Sequence, residues 1–156
     1  MNWQNPFKLL FANIKVLTSG FEIVEITPGL YQSSAITKGG TRKIKELGID
    51  VVIDLEGDFD LNAQGLLKMY IYWPIVDGPD LPDETCLYDL SRLASNQMLL
   101  HKILTHCSFG NNRSGLINAL ILMQRGLSGE KAVKMIQSKR PSALSNNVFR
   151  EWIEKQ

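Results

Sequence analysis

Lys102–Arg125 reads KILTHCSFGNNRSGLINALILMQR, and its pattern changes twice along its length. A short apolar run ends at His106 and Cys107, a polar loop containing Gly110 closes on Arg113, and Ser114 and Gly115 open a long apolar stretch of helical period. A strand that turns straight into a helix leaves several backbone amides pointing at one spot, beside the positive end of the helix dipole. Such a spot binds an anion. A thiol placed there, ringed by amides and near a guanidinium, ionises more readily than an ordinary thiol of pKa roughly 8.5, which makes Cys107 the candidate nucleophile. Arg113 supplies a planar fork that matches two phosphate oxygens. The five residues between Cys107 and Arg113 let one loop set sulfur beneath a phosphorus and guanidinium against its outer oxygens.

His-Cys, five residues, Arg, then Ser and Gly resembles the signature of the cysteine-dependent phosphatases of the protein tyrosine and dual-specificity superfamily. His106, Cys107, Gly110, Arg113, Ser114 and Gly115 carry the match. The resemblance implies an α/β fold of one domain, with a central mixed, mostly parallel sheet flanked by helices. It also implies substrate-binding roles for Ser108, Phe109, Gly110, Asn111, Asn112 and Arg113. His106 falls where the family has a histidine that orders the loop, against the plain alternative of a buried, hydrogen-bonded histidine. Ser114 falls beside the sulfur, where its hydroxyl helps the thiolate leave; as a residue type it equally suits a helix cap.

Composition sets the outer limits. The 156 residues suffice for one domain with a real core, and a formal charge of +1 with 44% hydrophobic and 21% charged residues is ordinary for a soluble protein. No basic field marks a nucleic-acid binder, and no apolar run is long enough to cross a bilayer, so neither nucleic acid nor stable membrane insertion is expected. Cys86 and Cys107 make neither a disulfide framework nor a metal cluster. With no secretory signal in the first residues, a reducing, cytoplasmic location is expected.

In chain order, Phe7, Leu10, Phe11, Ile14 and Leu17 fall at helical spacing, so residues 1–20 hold a helix or arm packed on the domain, with membrane-surface contact as the alternative. Phe21–Ile26 and Leu30–Ser33 read as a hairpin around Pro28 and Gly29. GLYQSSAI, Gly29 to Ile36, resembles the Gly-Leu-Tyr opening of many dual-specificity phosphatases. Thr41 is placed to cap a helix ending at Leu47, followed by a buried strand, Ile49–Leu55. Asp54, Glu56, Asp58 and Asp60 then read as a solvated acidic loop, and no metal is assigned. After a strand at Met69–Trp73 comes WPIVDGPDLPDE, a Gly- and Pro-rich surface loop ending where Asp80 or Asp83 caps a helix running towards Leu100. Cys86, Leu87, Leu90, Leu93 and Ala94 mark that helix's apolar face, which puts Cys86 in the core; a redox partnership with Cys107 is the lesser reading. His101 precedes the next strand at the surface. Beyond Arg125, Gly126 stops one helix, Ser128 caps the next through about Lys139, and Pro141 ends it. Lys131, Lys134, Lys139 and Arg140 read as a solvated basic face. A last helix from about Asn147 carries Phe149, Trp152 and Ile153, and RPSALSNNVF resembles the link before the last helix of dual-specificity phosphatases.

A thiolate that displaces an alkoxide or phenoxide needs an acid over the leaving oxygen, worth roughly 10²- to 10⁴-fold. Asp77, Asp80 and Asp83 compete for that role. The resemblance favours Asp77, which follows a strand, Trp73 and Pro74, and stands 30 residues before Cys107. A two-step displacement through a phosphocysteine follows, with Asp77 as acid and then base, and without a cofactor. The expected partner is a phosphorylated protein or another phosphoester. Uncharged Ser108, Phe109, Asn111 and Asn112 disfavour phosphoinositides, whose phosphatases place lysines there. Asn112, where glycine is commoner, resembles the loop of RNA 5′-triphosphatases. Glucan phosphatase activity and a non-catalytic phosphate-reading module complete the alternatives.

Overall fold

The computed structural model describes residues 21–57 and 67–156. The segment around Phe7–Leu17, Asp58 and Asp60 lie outside the described residues. The elements run β1 (Ile23–Thr27), β2 (Leu30–Ser33), α1 (Lys38–Leu47), β3 (Ile49–Asp54), β4 (Met69–Tyr72), α2 (Glu84–Gln97), β5 (Lys102–His106), α3 (Asn112–Gln124), α4 (Gly129–Lys139) and α5 (Asn147–Glu154).

The strands form one sheet in the order β1-β2-β5-β3-β4, antiparallel between β1 and β2 and parallel elsewhere. This is the expected mixed, mostly parallel arrangement. Val51, Val52, Ile53, Ile103 and Leu104 are buried completely, as strands covered on both faces require. One face of the sheet packs Val51, Ile53 and Ile103 against Leu87, Leu116, Leu120, Ile136 and Phe149 from α2 to α5. The other packs Val52 and Leu104 against Ile44 of α1. Every residue of α3 from Ser114 to Leu122 is buried, so this helix is the axis of the domain rather than an amphipathic cover. Each fully buried leucine or isoleucine there contributes about 1.5–3 kcal/mol.

Register positions the site. His106 pairs with Ser33 on one side and with Asp54 on the other, so the carboxyl ends of three neighbouring strands finish level. Ligands of parallel α/β sheets bind at that edge, and Cys107 is the next residue.

Several boundaries differ from expectation. The first strand is Ile23–Thr27, β3 and β4 stop one residue early, at Asp54 and Tyr72, and α2 ends at Gln97. Thr37, not Thr41, caps α1: its side chain accepts from the Gly40 amide at 3.2 Å. Two glycines, poor helix formers, hide that first turn in the sequence. Gly40 is required there, since a Cβ would come within 2.7 Å of the Phe21 ring. Cys86 is exposed and Leu93 is 41% exposed, because α2 turns Leu87, Leu90, Ser91 and Ala94 inward instead. The expected burial of Cys86 is therefore wrong, and both cysteines are free thiols.

Candidate active site

The loop from Cys107 to Arg113 is shaped by bonds to its carbonyls. The Ser108 carbonyl accepts from the Ala35 amide at 3.2 Å. Phe109 O accepts from Arg140 Nη2 at 2.8 Å, and Gly110 O from Gln32 Nε2, also at 2.8 Å. Asn111 O accepts from the Gly115 amide at 3.2 Å. No peptide bond among the described residues is cis. In a trans peptide the N–H points opposite to the carbonyl. The amides of Phe109, Gly110, Asn111 and Asn112 therefore point away from these partners, into the bend. Gly110 makes the bend possible: its φ is 67°, and a Cβ there would lie 2.5 Å from the backbone of Ser33.

Beneath the loop lies a buried polar frame. Asn118 of α3 donates to Gln32 Oε1 at 3.1 Å and accepts from the Thr105 hydroxyl at 2.9 Å. Each polar atom so placed has a partner, which avoids the cost of an unmet buried group. Arg140 pins the loop from outside, donating from Nε to Asn111 Oδ1 at 3.1 Å and from Nη2 to Glu22 at 3.0 Å. It is 6% exposed, so the solvated basic face predicted for it belongs to Lys131, Lys134 and Lys139 alone. The reason is the ring of acceptors that the fold gathers around it.

Cys107 is 2% exposed, and its Sγ lies 3.5 Å from Ser114 Oγ. Ser114 sits inside α3 rather than at its cap, which is Asn111, so the cap reading of Ser114 fails. Arg113 donates from Nη1 to Leu55 O at 3.0 Å and to Ile75 O at 3.3 Å, and from Nη2 to Ser108 Oγ at 2.7 Å. These bonds fix the plane of the fork. His106 is wholly buried, with Nε2 3.4 Å from Asp54 Oδ1. Asp54 is itself wholly buried and accepts from the Tyr70 hydroxyl and from the Glu56 amide at 2.9 Å. The solvated acidic loop is thus wrong at Asp54, which stands behind the nucleophile beside His106.

The three competing aspartates separate. Asp83 accepts from the Cys86 amide at 2.8 Å as the cap of α2, a bond that holds its carboxyl below the usual range. The Cys86 thiol, hydrogen-bonded to the same carboxylate, is held above its usual range. Asp80 is exposed. Asp77 is joined to the loop: Asn112 Nδ2 donates to its Oδ2, and Asn146 Nδ2 to its Oδ1, each at 2.9 Å. His101, expected at the surface, is half-buried with Nδ1 3.3 Å from Asp50.

The structure thus brings Cys107, Ser108, Arg113 and Ser114 together and connects Asp77 to them through Asn112. Phe109 stands out from the loop at 42% exposure. Gln32, Asn118 and Asn146 escaped the sequence reading, and Arg140 was read only as part of a solvated face; GLYQSSAI and RPSALSNNVF contained Gln32, Arg140 and Asn146. Among the described residues no cluster of His, Cys, Asp and Glu is arranged to hold a metal. Nor is any helix there long and apolar enough to cross a membrane.

No family model matches the chain. The rat dual specificity protein phosphatase 12 is 31% identical over 144 residues, 86% of this chain. The chain spans 41% of the length of that relative. The crystal structure of human DUSP28 superposes with a TM-score of 0.73 at 25% identity, covering 85% of this chain and 90% of that one. The human tyrosine phosphatase-like serine/threonine/tyrosine-interacting protein shares the fold, with a TM-score of 0.70 at 23% identity over 85% of this chain and 93% of its own.

Proposed function

We propose, for a chain that is dual-specificity-phosphatase-like in both sequence and fold, that it forms one catalytic domain hydrolysing phosphate monoesters on proteins through a phosphocysteine. The observation that carries this is the thiol of Cys107 within 3.5 Å of the Ser114 hydroxyl, at a bend closed by an Arg113 whose fork is fixed by three acceptors.

In the first step the Cys107 thiolate attacks phosphorus, the bond to the leaving oxygen breaks, and Asp77 gives that oxygen its proton. Arg113 and the amides of the bend hold the three remaining oxygens as charge redistributes over them. In the second step water attacks phosphorus and passes a proton to Asp77. The sulfur–phosphorus bond breaks, and the Ser114 hydroxyl donates to the departing thiolate. His106, backed by Asp54, holds the start of the loop and takes no proton from substrate.

The uncharged Ser108, Phe109, Asn111 and Asn112 suit a substrate with one phosphate rather than several, which favours phosphotyrosine, phosphoserine or phosphothreonine over phosphoinositides. Two free thiols, one of them the nucleophile, suit a reducing cytoplasmic setting. Para-nitrophenyl phosphate is the first test. Turnover should be unaffected by EDTA and blocked by vanadate, and Cys107→Ser should abolish it while retaining phosphopeptide capture. Tight capture by a wild-type protein that turns nothing over would indicate a phosphate-reading module instead. Preferential release of phosphate from triphosphate-ended RNA would move the activity to RNA.

A further inference from the structure

The side chain of Asn112 touches two other segments at once. Its amide nitrogen donates to Asp77 Oδ2 at 2.9 Å, while its amide oxygen accepts from the Ser145 hydroxyl and the Asn146 backbone amide, each at 3.0 Å. Asn146 completes the junction, donating from Nδ2 to Asp77 Oδ1 at 2.9 Å and to the Gly78 carbonyl at 3.0 Å. Each carboxylate oxygen of Asp77 is therefore held by an amide from a different segment.

Asp77 needs that support. It belongs to a loop without regular structure, between Val76, which is 75% exposed, and Gly78 and Pro79. Left to itself such a loop holds a carboxylate over the sulfur for only part of the time, and misplacing a catalytic group by 1 Å costs on the order of 10²-fold. Asn112 stands in the same short loop as Cys107 and next to Arg113, so a bond from its side chain ties the acid to the piece of backbone that carries nucleophile and anchor. A glycine at this position has no side chain to make that bond.

We propose that Asn112 is a positioning residue, which holds Asp77 over the nucleophile before substrate arrives so that proton donation requires no loop closure. The inference rests on the phosphocysteine mechanism above. Its benefit is largest for leaving oxygens that are poor without a proton, and vanishes for those that depart readily as anions.

The test compares wild type, Asn112→Ala, Asn112→Asp, Asp77→Ala and the Asp77→Ala/Asn112→Ala double variant on phenyl phosphate and on a nitro-substituted aryl phosphate. Asn112 binds phosphate through its backbone amide, which alanine keeps, so Asn112→Ala should lower kcat on phenyl phosphate about tenfold and on the nitro ester by less than about twofold, with little change in KM or vanadate inhibition. In the Asp77→Ala background it should add nothing. Asn112→Asp keeps the acceptor for Ser145 and Asn146 but sets a carboxylate against Asp77, so it should fold and be at least as slow as Asn112→Ala. Equal slowing of both esters, or further slowing of Asp77→Ala, would mean a merely structural role and overturn the inference. So would an unimpaired Asn112→Ala beside a slow Asp77→Ala. An Asp77→Ala protein as fast as wild type overturns the acid assignment and this inference together.

Discussion

The loop from Cys107 to Arg113 and the loop from Trp73 to Asp83 each present one group to the proposed reaction, and they are held by opposite means. The first has its successive carbonyls bonded to β2, to Arg140 and to the start of α3, over a frame of buried amides and hydroxyls. The second carries Pro74, Pro79 and Pro82, which donate no backbone hydrogen bond, and leaves most of its side chains in water. Beyond the Trp73 amide on Asp54 O at 2.9 Å and the capping bonds of Asp83, its attachments are few: the Ile75 amide on Leu55 O at 3.3 Å, the Ile75 carbonyl under Arg113, and the amide side chains on Asp77 and Gly78. The nucleophile is thus placed by the fold, and the acid by a handful of side chains. Damage to the first should cost structure as well as rate; damage to the second should cost rate alone.

The sharpest break is Gly110→Ala against Gly78→Ala. A methyl at Gly110 meets the Ser33 backbone at a left-handed φ, and we expect turnover at background and a stability loss of about 2–4 kcal/mol, read from kinetics and thermal melts. Gly78 has only the exposed Val76 side chain nearby, 3.3 Å from a built Cβ, and its alanine variant should stay within about twofold of wild type. Equal tolerance at both positions would erase the contrast.

Next comes Asp77→Ala, expected to slow turnover on phenyl phosphate by about 10²- to 10⁴-fold with an unchanged melting temperature. Asp80→Ala should do little; if it is the damaging change, the acid is misassigned.

Arg140→Ala separates support from chemistry. Removing its bonds to Phe109 O, Asn111 and Glu22 should cost about 1–3 kcal/mol of stability and raise KM several-fold while sparing kcat relative to Asp77→Ala.

The smallest effect is a pH dependence. The Cys86 amide holds the Asp83 carboxyl below its ordinary 3.8. A group depressed on folding stabilises above its unfolded pKa and loses that contribution as pH falls through the lower folded value. Asp83→Asn should therefore flatten acid unfolding slightly below pH 4 and leave turnover at neutral pH unchanged, as urea melts across pH would show.

The same contrast explains how much could be read from the chain. Strand, loop and helix around Cys107 are contiguous, so composition, period and one glycine disclosed both the local structure and its anion chemistry. The parallel sheet was legible for the same reason, in runs such as Ile49–Leu55 that are apolar but for Asp50 and Asp54. What stayed hidden depends on distant partners. Arg140 is buried because Glu22, Phe109 and Asn111 converge on it, and no spacing around residue 140 records them. Asp54 looked like one of four solvated carboxylates, and only the pairing of β3 with β5 and β4 puts it beside His106 and Tyr70. Helical period alone could not orient α2, because Ser91 turns inward by bonding its own helix at the Tyr88 carbonyl, and Cys86 turns out.

The frame of Thr105, Asn118 and Gln32 under the nucleophile also dictates how such a protein would fail on heating. Those amides can part only when α3 separates from β2 and β5, so the sulfur's pocket should survive until the whole domain melts. The acid's few tethers would let go earlier. A warmed sample would then pass through an interval in which it still reacts at sulfur but no longer assists a reluctant alcohol, and its apparent preference among phosphoesters would drift with temperature before any heat-absorbing transition appeared.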